Sequence, residues 1–209
     1  MAGMTLLLLT VAALLPIANP FSTAALFISL TQGDSSQSRS RTARQTCIYM
    51  FFILAFFLIA GTLVMRFFGI SEPGIRVAGG LIILVVGFRM LFPAESPITP
   101  KEQTEALTKK DIALVPLALP SLSGPGSIAV VLSIAADTTG LIDHLFVLLG
   151  IFVVALFSYF VLLGASKLTK YLGVGGINVF SRLMGFFLIC IAVQFLAKGI
   201  HGFMIDPDF

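Results

Sequence analysis

Long apolar stretches separated by short polar connections are the main pattern of this chain. Six stretches have at least about the 18 residues that are needed to cross the hydrocarbon core of a bilayer. They cover residues 5–30, 46–68, 75–92, 112–136, 145–168 and 179–200. No connection between them is long enough to fold by itself. The pattern predicts an all-α, polytopic membrane protein with six transmembrane helices in a single membrane domain, residues 1–209.

The composition indicates that lipid is the solvent of this fold. Hydrophobic residues make up 57% of the chain and charged residues only 11%, with a mean hydropathy of +1.04. An average soluble domain carries roughly a quarter charged residues. The 13 Lys and Arg are spread over the connections and do not form the basic patch of a nucleic-acid-binding protein. The predicted partner is therefore the lipid bilayer, and nucleic acid is excluded.

The distribution of Lys and Arg predicts an orientation. Six crossings place ten of them on one side and three on the other, and cytoplasmic loops carry the excess. Both termini are then outside, and the linker 93–111 is cytoplasmic. If the first and fourth stretches instead re-enter the membrane, four crossings remain and the division is eight to five. We prefer six crossings because the asymmetry is larger.

Three short motifs recur in the same order in the second half of the chain. The motif LPIANP at 15–20 recurs as VPLALP at 115–120, RFFGI at 66–70 as KYLGV at 170–174, and RVAG at 76–79 as RLMG at 182–185. These matches predict a duplication, with repeat one at 5–92 and repeat two at 112–203. Each repeat contains three crossings, so the second begins on the opposite side of the membrane. Such inverted repeats occur in many secondary transporters.

The first and fourth helices are predicted to be broken at prolines. A proline lacks the amide hydrogen and clashes with the preceding turn, so we expect no uninterrupted helix through Pro16 and Pro20 or through Pro116, Pro120 and Pro125. Opened backbone at membrane depth is tolerated only where it is buried in protein or lines a cavity. Half-helices that begin after Pro20 and Pro125 would offer free amides and a positive dipole to a carboxylate.

Small and polar residues around the two breaks form the candidate substrate-binding site. They are Asn19, Pro20, Ser22, Thr23, Ser121, Ser123, Gly124, Pro125, Gly126 and Ser127. In this hypothesis Asn19 and the hydroxyl groups bind a solute, while the prolines and glycines keep the helices open. A single kink with Ser or Thr bonded to its own backbone is the simpler interpretation of each break. Two breaks at matching positions of a repeat favour a site.

The few ionisable residues near the apolar stretches give the class of solute. Arg76, Asp137 and Lys198 lie near segment ends, where we expect them to reach the membrane interface. Gln194 lies deep in the last stretch and is expected to form a hydrogen bond between helices. Because no carboxylate lies deep within an apolar stretch, a neutral or zwitterionic solute is favoured over a cation.

The sequence contains no catalytic or metal-binding pattern. Both histidines, His144 and His201, lie at segment ends, and neither GxSxG nor HExxH occurs. The two cysteines, Cys47 and Cys190, have no metal-ligand spacing. We predict that the chain is not an enzyme, with no catalytic residues, no metal site and no cofactor.

Four runs of residues resemble the MarC family of bacterial inner-membrane proteins, and the likeness covers nearly the whole chain. These runs are LPIANPFST at 15–23, FRMLFP at 88–93, PLALP at 116–120 with GPG at 124–126, and SRLMGF at 181–186. The resemblance implies a multi-pass protein of the bacterial inner membrane. It also implies transport of small neutral amino acids, the activity described for some relatives. Ser22 departs from the family pattern, which usually has glycine there, so the solute does not transfer directly.

Two other functions remain open at this point. The chain would be a non-transporting membrane scaffold or envelope-stress protein if the breaks serve packing only. It would be a passive channel if solute flux does not saturate. A homo-oligomer is compatible with each of these functions.

Overall fold

A computed structural model describes residues 2–93, 112–138 and 140–205. Within these ranges the chain is entirely helical and contains no β-strand. The helices are α1 (Ala2–Ala18), α2 (Pro20–Leu30), α3 (Ser36–Phe68), α4 (Glu72–Leu91), α5 (Ala113–Leu122), α6 (Pro125–Asp137), α7 (Leu141–Leu163) and α8 (Ala165–Ile205). The predicted linker 93–111 lies outside the described residues apart from Pro93.

The all-helical membrane fold and its two broken helices are confirmed. Three helices (α3, α4 and α7) and the part of α8 from Gly175 to Ile205 are long and apolar enough to cross a membrane. The pair α1 and α2 is bent by 42°, and the pair α5 and α6 by 61°. Counting each bent pair as one span gives six spans. The inverted relation of the two repeats stays a prediction.

Two connections that the sequence indicated as loops are largely helical. Helix α3 has 33 residues and begins at Ser36, where the Ser35 hydroxyl accepts a hydrogen bond from the Ser38 amide at 3.2 Å. Helix α8 begins at Ala165 and continues through the predicted connection 169–178, with one kink at Gly173, where φ is 65°. Hydropathy marks only the lipid-embedded part of a helix, so polar turns that extend beyond the bilayer are missed.

The prediction for Pro16 is wrong, because this proline lies inside α1 and the helix continues to Ala18. The break occurs at Asn19, directly before Pro20. A proline removes one backbone hydrogen bond, and an apolar helix can kink and continue past that loss. In α5 the residues before Pro116 and Pro120 are extended, since a following proline disfavours helical geometry. There the helix is irregular throughout.

Helices of the first half of the chain pack mainly on helices of the second half. The most extensive contact joins α4 to α8, and α1, α2 and α3 all pack on α7 or α8. Gly87 and Gly185 bring the α4 and α8 backbones together, because a Cβ at Gly185 would lie 2.9 Å from the Gly87 carbonyl oxygen. Small residues allow such close contact between membrane helices.

Candidate functional site

The first break is a single left-handed residue that also caps the following helix. Asn19 has φ 36° and ψ 68°, a region that Asn tolerates better than most residues. Its side-chain oxygen accepts a hydrogen bond from the Ser22 amide at 3.3 Å, so it acts as the N-cap of α2. Its side-chain nitrogen donates to the Met90 sulfur at 3.8 Å. Asn19 is 5% exposed.

The second break is wider and leaves α6 without a side-chain cap. Gly124 is extended, with ψ 175°, and no side chain caps the helix that begins at Pro125. A Cβ on Gly124 would lie 2.5 Å from the Pro120 carbonyl oxygen, so glycine is required at this position. The Ser127 hydroxyl donates to the Leu122 carbonyl oxygen at 3.1 Å. The Ser123 hydroxyl is fully buried and has no hydrogen-bond partner among residues 2–93, 112–138 and 140–205.

The two breaks are in contact with each other. Thr23 Oγ1 lies 2.7 Å from Ser121 Oγ, and Thr23 also donates to the Asn19 carbonyl oxygen at 3.2 Å. At Gly126 a Cβ would lie 3.3 Å from the Ile17 side chain, so α6 begins against the end of α1. The structure therefore brings together Asn19, Thr23, Ser121, Ser123, Gly126 and Ser127 in the region where the breaks meet.

The other four members of the candidate set differ in burial, and two of them are exposed. Ser22 is exposed on the surface of the helical bundle, although its amide bonds to Asn19. Pro125 is exposed as well, whereas Pro20 is buried and Gly124 is half-buried. The hydroxyl of Ser22, which is the residue that departs from the MarC pattern, therefore lies on the surface of α2.

A cavity of about 280 Å³ lies beside the breaks, among α1, α4, α6 and α8. None of the ten predicted residues lines it. The residues of α1 that line it are apolar except for Thr10, whereas α4, α6 and α8 supply the other polar side chains together with apolar ones. The polar lining residues are Thr10, Arg76, Ser133, Asp137, Gln194 and Lys198.

Arg76 is the centre of an ionic cluster at the edge of this cavity. Its Nη2 lies 2.6 Å from a Glu72 carboxylate oxygen and 2.5 Å from an Asp137 carboxylate oxygen. Its Nε donates to the Ser133 hydroxyl at 3.1 Å. The Arg76 side chain is 16% exposed, whereas its partners Glu72 and Asp137 are 34% and 54% exposed. That Arg76 reaches the membrane interface stays a prediction. The cluster ties α4 to α6.

Sequence reasoning missed this cluster. The spacing of Glu72 and Arg76, four residues apart, was a readable signal for an ion pair within one helix. Asp137 lies 61 residues further on, and no local pattern connects it to Arg76. Gln194 lines the cavity, and its hydrogen bond between helices stays a prediction.

Comparison with known proteins gives one family over nearly the whole length. The model of the MarC family of integral membrane proteins matches residues 4–204. Among relatives named "inner membrane protein MarC", those of Escherichia coli UTI89 and Escherichia coli K12 are 42% and 41% identical over 199 residues. The relative from Shigella flexneri is 41% identical, and in each case the match covers 90% of both chains. No solved structure matches the chain.

These matches agree with the helices that the structure describes. Apolar helices long enough to cross a bilayer and relatives named as inner-membrane proteins together define a multi-pass protein of the inner membrane. This chain belongs to the MarC family of integral membrane proteins.

Proposed function

We propose that this chain is a secondary transporter that carries a small neutral or zwitterionic solute of the amino acid class across the bacterial inner membrane. The observation that carries the proposal is the contact between the two breaks, where Thr23 Oγ1 lies 2.7 Å from Ser121 Oγ. Broken helices that meet near the bilayer midplane hold the substrate site in many secondary transporters.

The packing of the helices supports an inverted repeat. The predicted repeats pair α1 and α2 with α5 and α6, α3 with α7, and α4 with α8. When each helix is replaced by its counterpart, the contact of α1 with α7 becomes the contact of α5 with α3, which the structure also contains. The same exchange converts the contact of α2 with α8 into that of α6 with α4. The pairs α3 with α7 and α4 with α8 are unchanged. These main contacts are therefore repeated under the exchange, as expected for a duplication, although the contact of α1 with α8 has no counterpart of similar extent.

The chemistry at the breaks suits a solute without net charge. Within the part of the chain that the structure describes, the Ser123 hydroxyl lacks a partner and the first turn of α6 has no side-chain cap, so both can donate to a carboxylate. Backbone carbonyl groups released at the ends of α1 and α5 are acceptors for an ammonium group. The ten candidate residues include no ionisable side chain. A net charge on the solute would therefore have no counter-charge here.

The cavity among α1, α4, α6 and α8 is the proposed approach route to this site. Val130 lines the cavity and lies three residues after Ser127, which is about one helical turn. Asn19 and Ser123 are 5% and 0% exposed, so the site is closed to solvent in this conformation, and Thr23 and Ser121 are in contact across it. Transport requires that this contact opens when solute arrives.

Flux through proteoliposomes tests the proposal. Purified protein should transport radiolabelled alanine or glycine, and Ser123→Ala should lower the flux about tenfold. The same variant should be at least as stable as wild type, because an unpaired buried hydroxyl costs about 1–3 kcal/mol. Thr46→Val is the matched control, since the Thr46 hydroxyl in α3 is also buried without a partner. The control should gain stability and keep full flux.

Unchanged flux in Ser123→Ala would remove the site assignment while leaving transport intact. The alternative function, a non-transporting scaffold, is favoured by the close packing of Asn19, Thr23, Ser123 and Ser127. It predicts that wild type shows no flux, and that a cysteine at Ser123, in a chain with Cys47 and Cys190 replaced by alanine, resists a small aqueous thiol reagent. Flux that rises linearly with solute concentration would indicate a passive channel.

We also propose that both termini lie in the periplasm, because this orientation places most Lys and Arg in the cytoplasm. A carboxy-terminal alkaline phosphatase fusion should then be active. Inactive phosphatase, together with fluorescence from a carboxy-terminal green fluorescent protein fusion, would show that the carboxy terminus lies in the cytoplasm and that the proposed orientation is wrong.

A further inference from the structure

Two cavities lie end to end between α3 and α7, on a face of the molecule that the proposed transport site does not use. They share Arg44 and Tyr159. The first, of about 420 Å³, is otherwise lined by Cys47, Ile48, Phe51, Phe52, Phe152, Ala155 and Leu156. The second, of about 600 Å³, is otherwise lined by Ser36, Gln37, Ser40 and Arg41. An apolar groove therefore continues into a polar, basic pocket.

The sequence of α3 produces this change along a row of neighbouring side chains. Residues 36, 40, 44, 48 and 52 follow one another at a spacing of four, which places each side chain beside the next in a row that winds gradually around the helix. The row changes from Ser36 and Ser40 through Arg44 to Ile48 and Phe52. From Arg44 to Phe52 the helix rises about 12 Å. A molecule with a polar head and an aliphatic chain matches this order.

Charge points to an anionic head. Arg41 and Arg44 are exposed and form no ion pair within the part of the chain that the structure describes. Other arginines are differently placed: Arg76 contacts two carboxylates, and Arg39 donates to the Thr31 carbonyl oxygen at 3.0 Å. Two neighbouring guanidinium groups without carboxylate partners are suited to a phosphate.

The apolar groove has a floor and open sides. The rings of Phe51 and Phe152 meet edge to face, with centroids 6.0 Å apart, and join α3 to α7. Ile48 is 42% exposed and Phe52 is 65% exposed at the sides of the groove. An acyl chain lying on Phe51 and Phe152 would cover these side chains.

We propose that this groove binds one anionic phospholipid, with its phosphate on Arg41 and Arg44 and one acyl chain between α3 and α7. Tyr159, which lines both cavities, lies where the head and the chain of the lipid join. Anionic lipids and basic residues near the membrane surface attract each other by about 1 kcal/mol per residue. The proposal is independent of whether the protein transports a solute.

Lipid titration of the full-length, delipidated protein in detergent tests this site. Phosphatidylglycerol should give one retained lipid per chain by native mass spectrometry. Lipid at about 100 times its Kd should raise the Tm by roughly 5–10 °C for a chain of this size. Phosphatidylcholine should bind at least tenfold more weakly, because it lacks net negative charge. Inorganic phosphate should not raise the Tm, because it cannot fill the apolar groove.

Three variants separate the parts of the site. Arg41→Gln and Arg44→Gln should each lower the affinity for phosphatidylglycerol about fivefold. Arg66→Gln is the matched control, because Arg66 is an exposed arginine at the other end of α3. Ile48→Trp should abolish lipid retention by filling the groove while both arginines remain. It changes an exposed side chain and should leave the Tm of the lipid-free protein unchanged.

Several outcomes would overturn the proposal. Equal affinity for phosphatidylcholine, or equal losses of affinity in Arg44→Gln and Arg66→Gln, would show that lipids cover this surface without a specific site. A rise in Tm with inorganic phosphate alone would indicate an anion site without a lipid. A dimer in light scattering that Ile48→Trp dissociates would make a second copy of this chain the occupant.

Discussion

The two breaks occupy corresponding positions in the chain but are built differently. The first is a turn at one residue, Asn19, whose side chain caps α2, and it bends the helix pair by 42°. The second bends by 61°, follows an irregular proline-containing segment, and leaves α6 uncapped with the Ser123 hydroxyl unpaired. A helix start that already has its own cap has fewer free donors for a ligand. The second break is therefore the better candidate for direct solute contact.

Gly124→Ala should have the largest effect on stability. Its Cβ would lie 2.5 Å from the Pro120 carbonyl oxygen, a backbone atom that cannot move aside easily. We expect a loss of about 3 kcal/mol, the upper part of the usual overpacking range, measured by thermal unfolding in detergent. Gly175→Ala is the control, because nothing lies within 4 Å of its Cβ position. Equal stability of both variants would show that the second break has more space than the structure gives it.

Asn19→Ala should have an intermediate effect. It removes the cap of α2 and the polar side chain that helps Asn adopt a left-handed conformation, and we expect a loss of about 1–2 kcal/mol. Asn19→Gly tolerates the same φ and replaces a capping residue at a cost of only a few tenths of a kcal/mol. Thermal unfolding separates the two variants. If Asn19→Gly folds normally but loses flux, Asn19 contacts solute as well as capping α2.

Asp137→Asn should have the smallest effect. The Asp137 side chain is 54% exposed, and an ion pair with that much exposure contributes less than about 1 kcal/mol. Arg76 keeps Glu72 and Ser133 as partners in this variant. We expect a Tm decrease of about 2 °C or less. A much larger loss would show that the tie between α4 and α6, and not the packing around Gly124, holds the second break in place.

Much of the fold could be predicted from the sequence because hydropathy and proline act locally. Each apolar stretch produced a helix or a bent pair, and the Asn19–Pro20 and Gly124–Pro125 steps mark the starts of α2 and α6. Local patterns failed at Pro16, where the helix continues, and at Ser36, where α3 begins ten residues before its apolar part. A capped, polar helix end is not visible to a hydropathy window.

The candidate site was less predictable because its contacts join distant parts of the chain. The repeat predicted that residues of the two breaks form one site, but no local pattern pairs the Thr23 hydroxyl with the Ser121 hydroxyl. The burial of Ser123 and the surface position of Ser22 depend on how each half-helix is rotated. The cavity forms only where four helices pack together, and the Arg76 cluster needs two of them, so only isolated charges are visible in the sequence.

The glycine contact between α4 and α8 also limits how the molecule can move. Gly87 and Gly185 touch through their backbones, with no flexible side chain between them to re-pack when one helix slides along the other. These two helices are therefore expected to behave as one rigid unit. In the proposed transport cycle, the short half-helices on either side of Asn19 and Gly124 are then the parts expected to move against α4 and α8.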